Sequence, residues 1–196
     1  MRRREVLAAV SAASTGGIAG CGGGAPMADD GGDGGDGGDG GDGDGGGETD
    51  IATDDLPTDW PSGTYADYES TTVTVRSPDD EVRGMVRAAI ADTGDKRYLG
   101  LSDASSLPEN AGMLFTYSAP RDTLRFVMRE MDFGIDIVYV DGDRTITRIH
   151  NAPEPGPNED GSEQGYDGSG QYVLEVPYEW TDRRGVEVGD SLAFDL

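Results

Sequence analysis

The chain has 196 residues, a formal charge of −24 and a pI near 4.1. That length favours one domain, and that charge excludes non-specific nucleic-acid binding, which needs a positive surface. One cysteine, Cys21, excludes an intrachain disulfide, and no apolar run is long enough to cross a bilayer as a helix.

The basic residues are lopsided: fourteen are Arg and only Lys96 is Lys. Acid-rich and Lys-poor composition points to a protein of concentrated brine. There the screening length falls to about 3 Å at 1 M salt, so self-repulsion costs little, while the charged surface stays soluble.

Residues 1–20 read as a twin-arginine signal peptide. Arg2, Arg3 and Arg4 open it, Arg3-Arg4-Glu5-Val6-Leu7 fits the twin-arginine pattern, and a mildly apolar stretch follows from Val6 to Ala19. Ile18-Ala19-Gly20-Cys21 is similar to a lipobox, in which small side chains enter the signal peptidase and the thiol accepts the lipid. Cleavage there takes three Arg and one Glu from a formal −24, leaving −26. The expected location is the outer face of the cell membrane, held by a lipid on Cys21.

Residues 21–67 form the expected linker. Positions 31–47 hold twelve Gly and five Asp with no apolar residue, so nothing offsets the entropy of ordering them. Residues 22–50 would span on the order of 30 Å as a Gly-rich coil. Trp60, between Pro57 and Pro61, either packs on the domain edge or is loose.

Residues 68–196 carry a mostly period-two apolar pattern, which argues strands. These are expected near 71–76, 82–92, 112–117, 123–130, 135–140, 144–150, 170–176 and 190–195. Short helices are expected near 95–101 and 178–184. Turn chemistry at Ser77-Pro78-Asp79-Asp80 and Asp141-Gly142-Asp143 separates strands. The fold class is mainly β: a single jelly-roll-like β-sandwich or barrel with one or two short helices. The Pro- and Gly-rich stretch 151–169 is a long polar loop, either flexible or a lid.

Five blocks in order resemble one family: Arg97-Tyr98-Leu99-Gly100-Leu101; Gly112-Met113-Leu114-Phe115; Met128 through Asp136; Leu174-Glu175-Val176; and Gly185-Val186-Glu187-Val188-Gly189-Asp190. They are similar to the family catalogued as domain of unknown function 192, over roughly residues 82–195. The resemblance implies a compact, mainly β, often exported domain without an assigned activity. Glu130 stands where that family usually has Asn, Met131 where it has Thr, and Gly134 where it has Pro.

Asp136 is the foremost candidate site residue. It sits in Ile135-Asp136-Ile137-Val138-Tyr139-Val140, on the face of Val138 and Val140, and a buried carboxylate must be paired or protonated. A three-residue loop around Gly142 would place Arg148 opposite it, which favours a structural ion pair over a ligand. Glu130 closes the stripe Leu124, Phe126 and Met128, as at a pocket mouth or where a strand reaches solvent. His150, the only histidine, is either a general base or an edge residue. With no His or Cys partners, zinc is not expected, nor is a cofactor.

No nucleophile motif or phosphate-binding loop is present. The foremost functional reading is a non-catalytic binding or accessory module facing a high-salt exterior, its partner a small ligand or an envelope protein. The others are a carboxylate-dependent hydrolase or lyase using Glu130 and Asp136, and a purely structural envelope protein.

Overall fold

The period-two runs fold as strands in a computed structural model that describes residues 55–196. The twin-arginine segment, Cys21 and the Gly/Asp run lie outside the described residues. The strands are β1 (Ser70–Arg76), β2 (Val82–Ala91), β3 (Ala111–Val127), β4 (Ile135–Val140), β5 (Ile146–Ala152), β6 (Gly165–Pro177) and β7 (Ser191–Ala193). Two short helices, α1 (Gly94–Leu99) and α2 (Trp180–Arg184), complete them.

All seven strands join one sheet in the order β5-β4-β6-β3-β2-β1-β7. The sheet curls into a half-barrel, and its edges meet at one end. There the Ile146 amide donates to the Asp190 carbonyl at 2.8 Å, and the Leu192 amide to the Arg144 carbonyl at 2.9 Å. Neighbours are antiparallel except β2 and β3, which run parallel from Arg87↔Ala111 to Ala91↔Phe115. A parallel pair needs a long crossover; here it is the segment 92–110, which carries α1.

Alternation along each strand gives the sheet two apolar faces. Val138 and Val140 of β4, Leu174 and Val176 of β6, and Val73 and Val75 of β1 line the inner face, which the curl of the sheet and Trp180 of α2 close. Ile135, Ile137 and Tyr139 of β4, Met113 and Phe115 of β3, and Val173 of β6 line the other. That second face is roofed by Trp60, Tyr65, Leu101, Met128 and Met131. Trp60 is therefore packed, 4% exposed, with its indole N–H donating to the Gly112 carbonyl at 2.9 Å.

The structure differs from the sequence reading around β3. Two strands were expected, 112–117 and 123–130; one 17-residue strand forms. The polar run Ser118–Asp122 resembles a turn, yet it stays extended and exposed because β6 also begins early, at Gly165, and pairs alongside it. The register irregularities between Thr116, Arg121 and Leu124 absorb the bend. β3 ends at Val127, so Met128–Met131 is a turn, closed by the Met131 amide on the Met128 carbonyl at 3.2 Å. The 151–169 stretch braces that turn. The Glu130 amide donates to the Asp160 carbonyl at 2.7 Å and the Met128 amide to the Gln164 carbonyl at 3.2 Å.

Gly84 of β2 marks the seat of α2. A Cβ there would lie 2.7 Å from both the Trp180 ring and the Arg184 side chain. Gly84→Ala is expected to displace the fully buried Trp180 and cost about 1–3 kcal/mol. A thermal melt reads this directly; an unchanged midpoint would mean that α2 yields without cost.

Candidate functional site

In β6, Tyr172-Val173-Leu174-Glu175-Val176 runs apolar on both sides of one carboxyl. Period two puts Glu175 on the face of Val173, in the middle of the sheet. Its cross-strand neighbours are Met113 on β3 and Ile137 on β4. Glu175 is 5% exposed, and burial alone pushes its carboxyl from 4.5 up to about 8. Among the described residues no hydrogen bond is made to that carboxyl, and its flanking side chains have none to give.

Above Glu175 the roof is incomplete and leaves a cleft of about 200 Å³. The crossover segment makes one wall. Thr93 caps α1 by accepting from the Lys96 amide at 3.2 Å, and the helix stops at Gly100, whose φ of 54° suits a residue without Cβ. The turn at Gly100 rests on Phe115, and Phe115 meets Phe126 edge-on at 4.8 Å. The Ser102 hydroxyl donates to the Arg129 carbonyl at 2.8 Å and ties this wall to the turn after β3.

Three guanidinium groups, from Arg97, Arg125 and Arg129, border the same cleft. Arg97 donates to the Asp92 and Thr116 carbonyls at 2.7 and 2.9 Å and lies 5.0 Å from the Tyr117 ring centre. Arg129 stacks 4.2 Å over Tyr98 and donates to its carbonyl at 2.6 Å. Arg125 reaches Asp167 at 3.2 Å. Tyr98 stands 75% exposed beside the opening. Burial raises the Tyr117 hydroxyl pKa, and Arg97 and Arg121 draw it back down. Burial also lifts Tyr65, to about 12, and Tyr139, whose hydroxyl donates to the Tyr166 carbonyl at 2.7 Å.

The residues singled out from sequence lie elsewhere. Asp136 is fully buried under α2, where Oδ2 accepts from the Thr181 amide at 2.8 Å and the Thr181 hydroxyl at 2.7 Å. Its Oδ1 accepts from the Glu179 amide at 2.9 Å and the Asn151 amide group at 3.1 Å. Burial pushes its pKa up, while the Thr181 and Glu179 donors pull against that. Glu179 opens α2 in a left-handed conformation with no side-chain cap, so Asp136 supplies the cap from the sheet.

Arg148 is not opposite Asp136. The register pairs Asp136 with Asn151 and Arg148 with Tyr139. The hairpin loop is five residues long, 141–145, held by Asp141 Oδ1 accepting from the Asp143 and Thr145 amides, both at 2.9 Å. An irregularity between Tyr139 and Val140 shifts the register further, and each residue of slip moves the partner. Arg148 is exposed and donates to the Asp167 carbonyl at 3.2 Å.

Glu130 sits in the turn after β3 at φ 56°, its side chain 71% exposed and 3.7 Å from Arg129. Met128 is buried in the roof. His150 is half-buried against Tyr139 and Tyr166, its Nε2 3.0 Å from the Asp167 carbonyl. None of these five borders the cleft. Glu130 and Asp136 therefore do not form a facing pair such as two-carboxylate hydrolysis uses. The sequence signal for Glu175 was the one that selected Asp136, an acid flanked by apolar residues within a strand.

Over residues 74–194 the chain matches the family described as Uncharacterized ACR, domain of unknown function 192. It is also similar to the crystal structure of a candidate transcription regulator from Sinorhizobium meliloti 1021, at 25% identity and a TM-score of 0.59, over 65% of this chain and 95% of that one. A protein of unknown function from Novosphingobium aromaticivorans DSM 12444 is similar at 26% identity and a TM-score of 0.57, over 65% of this chain and 87% of that one. No curated protein matches the chain.

Proposed function

This chain belongs to the domain of unknown function 192 family, and on that footing we propose that it is a non-catalytic binding module whose ligand site is the cleft over Glu175. One observation carries the reading: a carboxyl buried at the centre of an apolar face, with no protein partner, opens onto a cleft. A carboxyl that accepts no hydrogen bond from the protein and faces a cleft takes its hydrogen bonds from what enters that cleft, and a ligand there can supply them.

Glu175→Leu tests this through stability. An apolar side chain of similar size removes the unsatisfied carboxyl, and the variant is expected to gain about 1–3 kcal/mol in a denaturant titration. A loss of stability would put the carboxyl to work in the fold and remove the reason for a ligand.

The proposal extends to location. The lipobox and the twin-arginine pattern support a module tethered outside the cell membrane by a lipid on Cys21, and the acid-rich, Lys-poor composition supports a saline exterior. Cys21→Ser is expected to move the protein from the detergent-rich to the aqueous phase on Triton X-114 partition. Retention in the detergent phase would contradict the anchor. A regulator's direct contact with nucleic acid is not carried over from the Sinorhizobium relative, because a formal −24 opposes it.

A further inference from the structure

The cleft is chemically two-ended. Its floor is Glu175, and its walls are the edge-packed rings of Phe115 and Phe126 with Leu99 and Leu101. Its mouth carries Arg97, Arg125 and Arg129, three of the fourteen Arg in a chain of formal charge −24. Glu175 is the only acid among the lining residues. The lining thus holds more basic than acidic residues, with Asp167 paired to Arg125 and Glu130 3.7 Å from Arg129 just outside it.

The two ends are also electrically separate. Arg97 and Arg121 act on the Tyr117 hydroxyl, whereas nothing but burial acts on Glu175. Among the described residues no ion pair joins Glu175 to the guanidinium groups at the mouth, which are held instead by the Asp92, Thr116 and Tyr98 carbonyls and by Asp167. Glu175 in turn raises the pKa of the Tyr65, Tyr117 and Tyr139 hydroxyls, phenols that add no cation there.

Resting on the site reading above, we propose that the cleft takes a small molecule with a flat apolar body, an anionic group at one end and an uncharged hydrogen-bonding group at the other. The anion meets the guanidinium groups at the mouth, where planar forks suit a carboxylate. The body lies against Phe115 and Phe126. The inner group bonds to the Glu175 carboxyl, which burial holds neutral at pH 7, so that it donates as well as accepts. A cation at the inner end would instead require Glu175 to ionise in an apolar site.

Four probes that differ only at their ends test this on the full-length chain at pH 7. They are 4-hydroxybenzoate, benzoate without the inner group, phenol without the anion, and 4-(aminomethyl)benzoate with an inner cation. Calorimetric titration is expected to rank 4-hydroxybenzoate above benzoate and above phenol by about tenfold each, the size of one buried hydrogen bond to a charged or acidic partner. Glu175→Leu is expected to erase the preference over benzoate only, and Glu175→Gln to keep it. Arg125→Gln, at an exposed position, is expected to shrink the preference over phenol only.

Tightest binding by 4-(aminomethyl)benzoate, lost in Glu175→Leu, would overturn the ligand class while leaving the site in place. Equal binding of 4-hydroxybenzoate and phenol would overturn the role of the guanidinium groups. Binding that is absent, or unchanged in all three variants, would overturn both this proposal and the site reading beneath it.

Discussion

Between pH 5 and pH 9 the wild-type protein is expected to lose on the order of a few kcal/mol of folding stability through one side chain, Glu175. Its carboxyl titrates near 4.5 when solvated and at about 8 in the fold. Below 4.5 both states hold the proton and the group is neutral to stability. Between the two values the native state keeps a proton that the unfolded state has released, so stability falls as pH rises. Above about 8 the full penalty of a buried, unpaired charge is in place. For a domain of this size the midpoint temperature should drop by roughly 10 °C across the window.

Glu175→Gln isolates the effect, because an amide cannot ionise. Its melting temperature should stay flat over the pH range where the wild type declines, and the two curves should diverge most at pH 9. Asp136 also has a raised pKa and acts in the same direction, but it is present in both proteins and cancels from the comparison. Parallel curves would show that Glu175 ionises normally in the fold.

Asp136→Asn should be strongly destabilising, by about 2–4 kcal/mol, since hydrogen bonds to a charged acceptor contribute about 1.5–3 kcal/mol each. All four partners of Asp136 are donors: the Thr181 amide and hydroxyl, the Glu179 amide and the Asn151 side chain. An amide in place of the carboxylate points its NH2 group at two of them whichever way it turns. The loss should appear as a fall of roughly 10 °C in midpoint temperature, with α2 losing its cap. Thr181→Val should cost less, because it removes the hydroxyl and spares the amide. An Asn variant as stable as wild type would mean that the sheet does not hold α2 through this residue.

These two acids show how far the sequence could be read. Both lie between apolar neighbours in a strand, and the pattern alone treats them alike. They differ in what the third dimension brings to them. Asp136 lies near the start of β4, where the chain after β6 turns into α2 and offers unpaired amides. Glu175 lies in the middle of the sheet between Met113 and Ile137, neither of which has a side-chain donor. That difference depends on the strand order, which places β6 between β3 and β4.

The strands themselves were legible from period two, as was α2 from Pro177 before it and Gly185 after it. The parallel pairing of β2 and β3 was not, because an antiparallel neighbour would show the same alternation. Nor was the unbroken length of β3, since Ser118–Asp122 has turn composition and only its pairing with β6 keeps it extended. The proposed Arg148 partner failed on a register that a five-residue loop and a local irregularity set together.

Ligand binding in the cleft depends on its floor being an acid without a protein partner. Carbon-13 NMR of the Glu175 side-chain carboxyl carbon, followed through a pH titration of the free protein, measures this at the atom concerned. The predicted result is a midpoint near 8, well separated from the other carboxylates. A midpoint in the ordinary range around 4.5 would mean that the carboxyl is already solvated or paired, and the cleft would then have no unfilled role for a ligand.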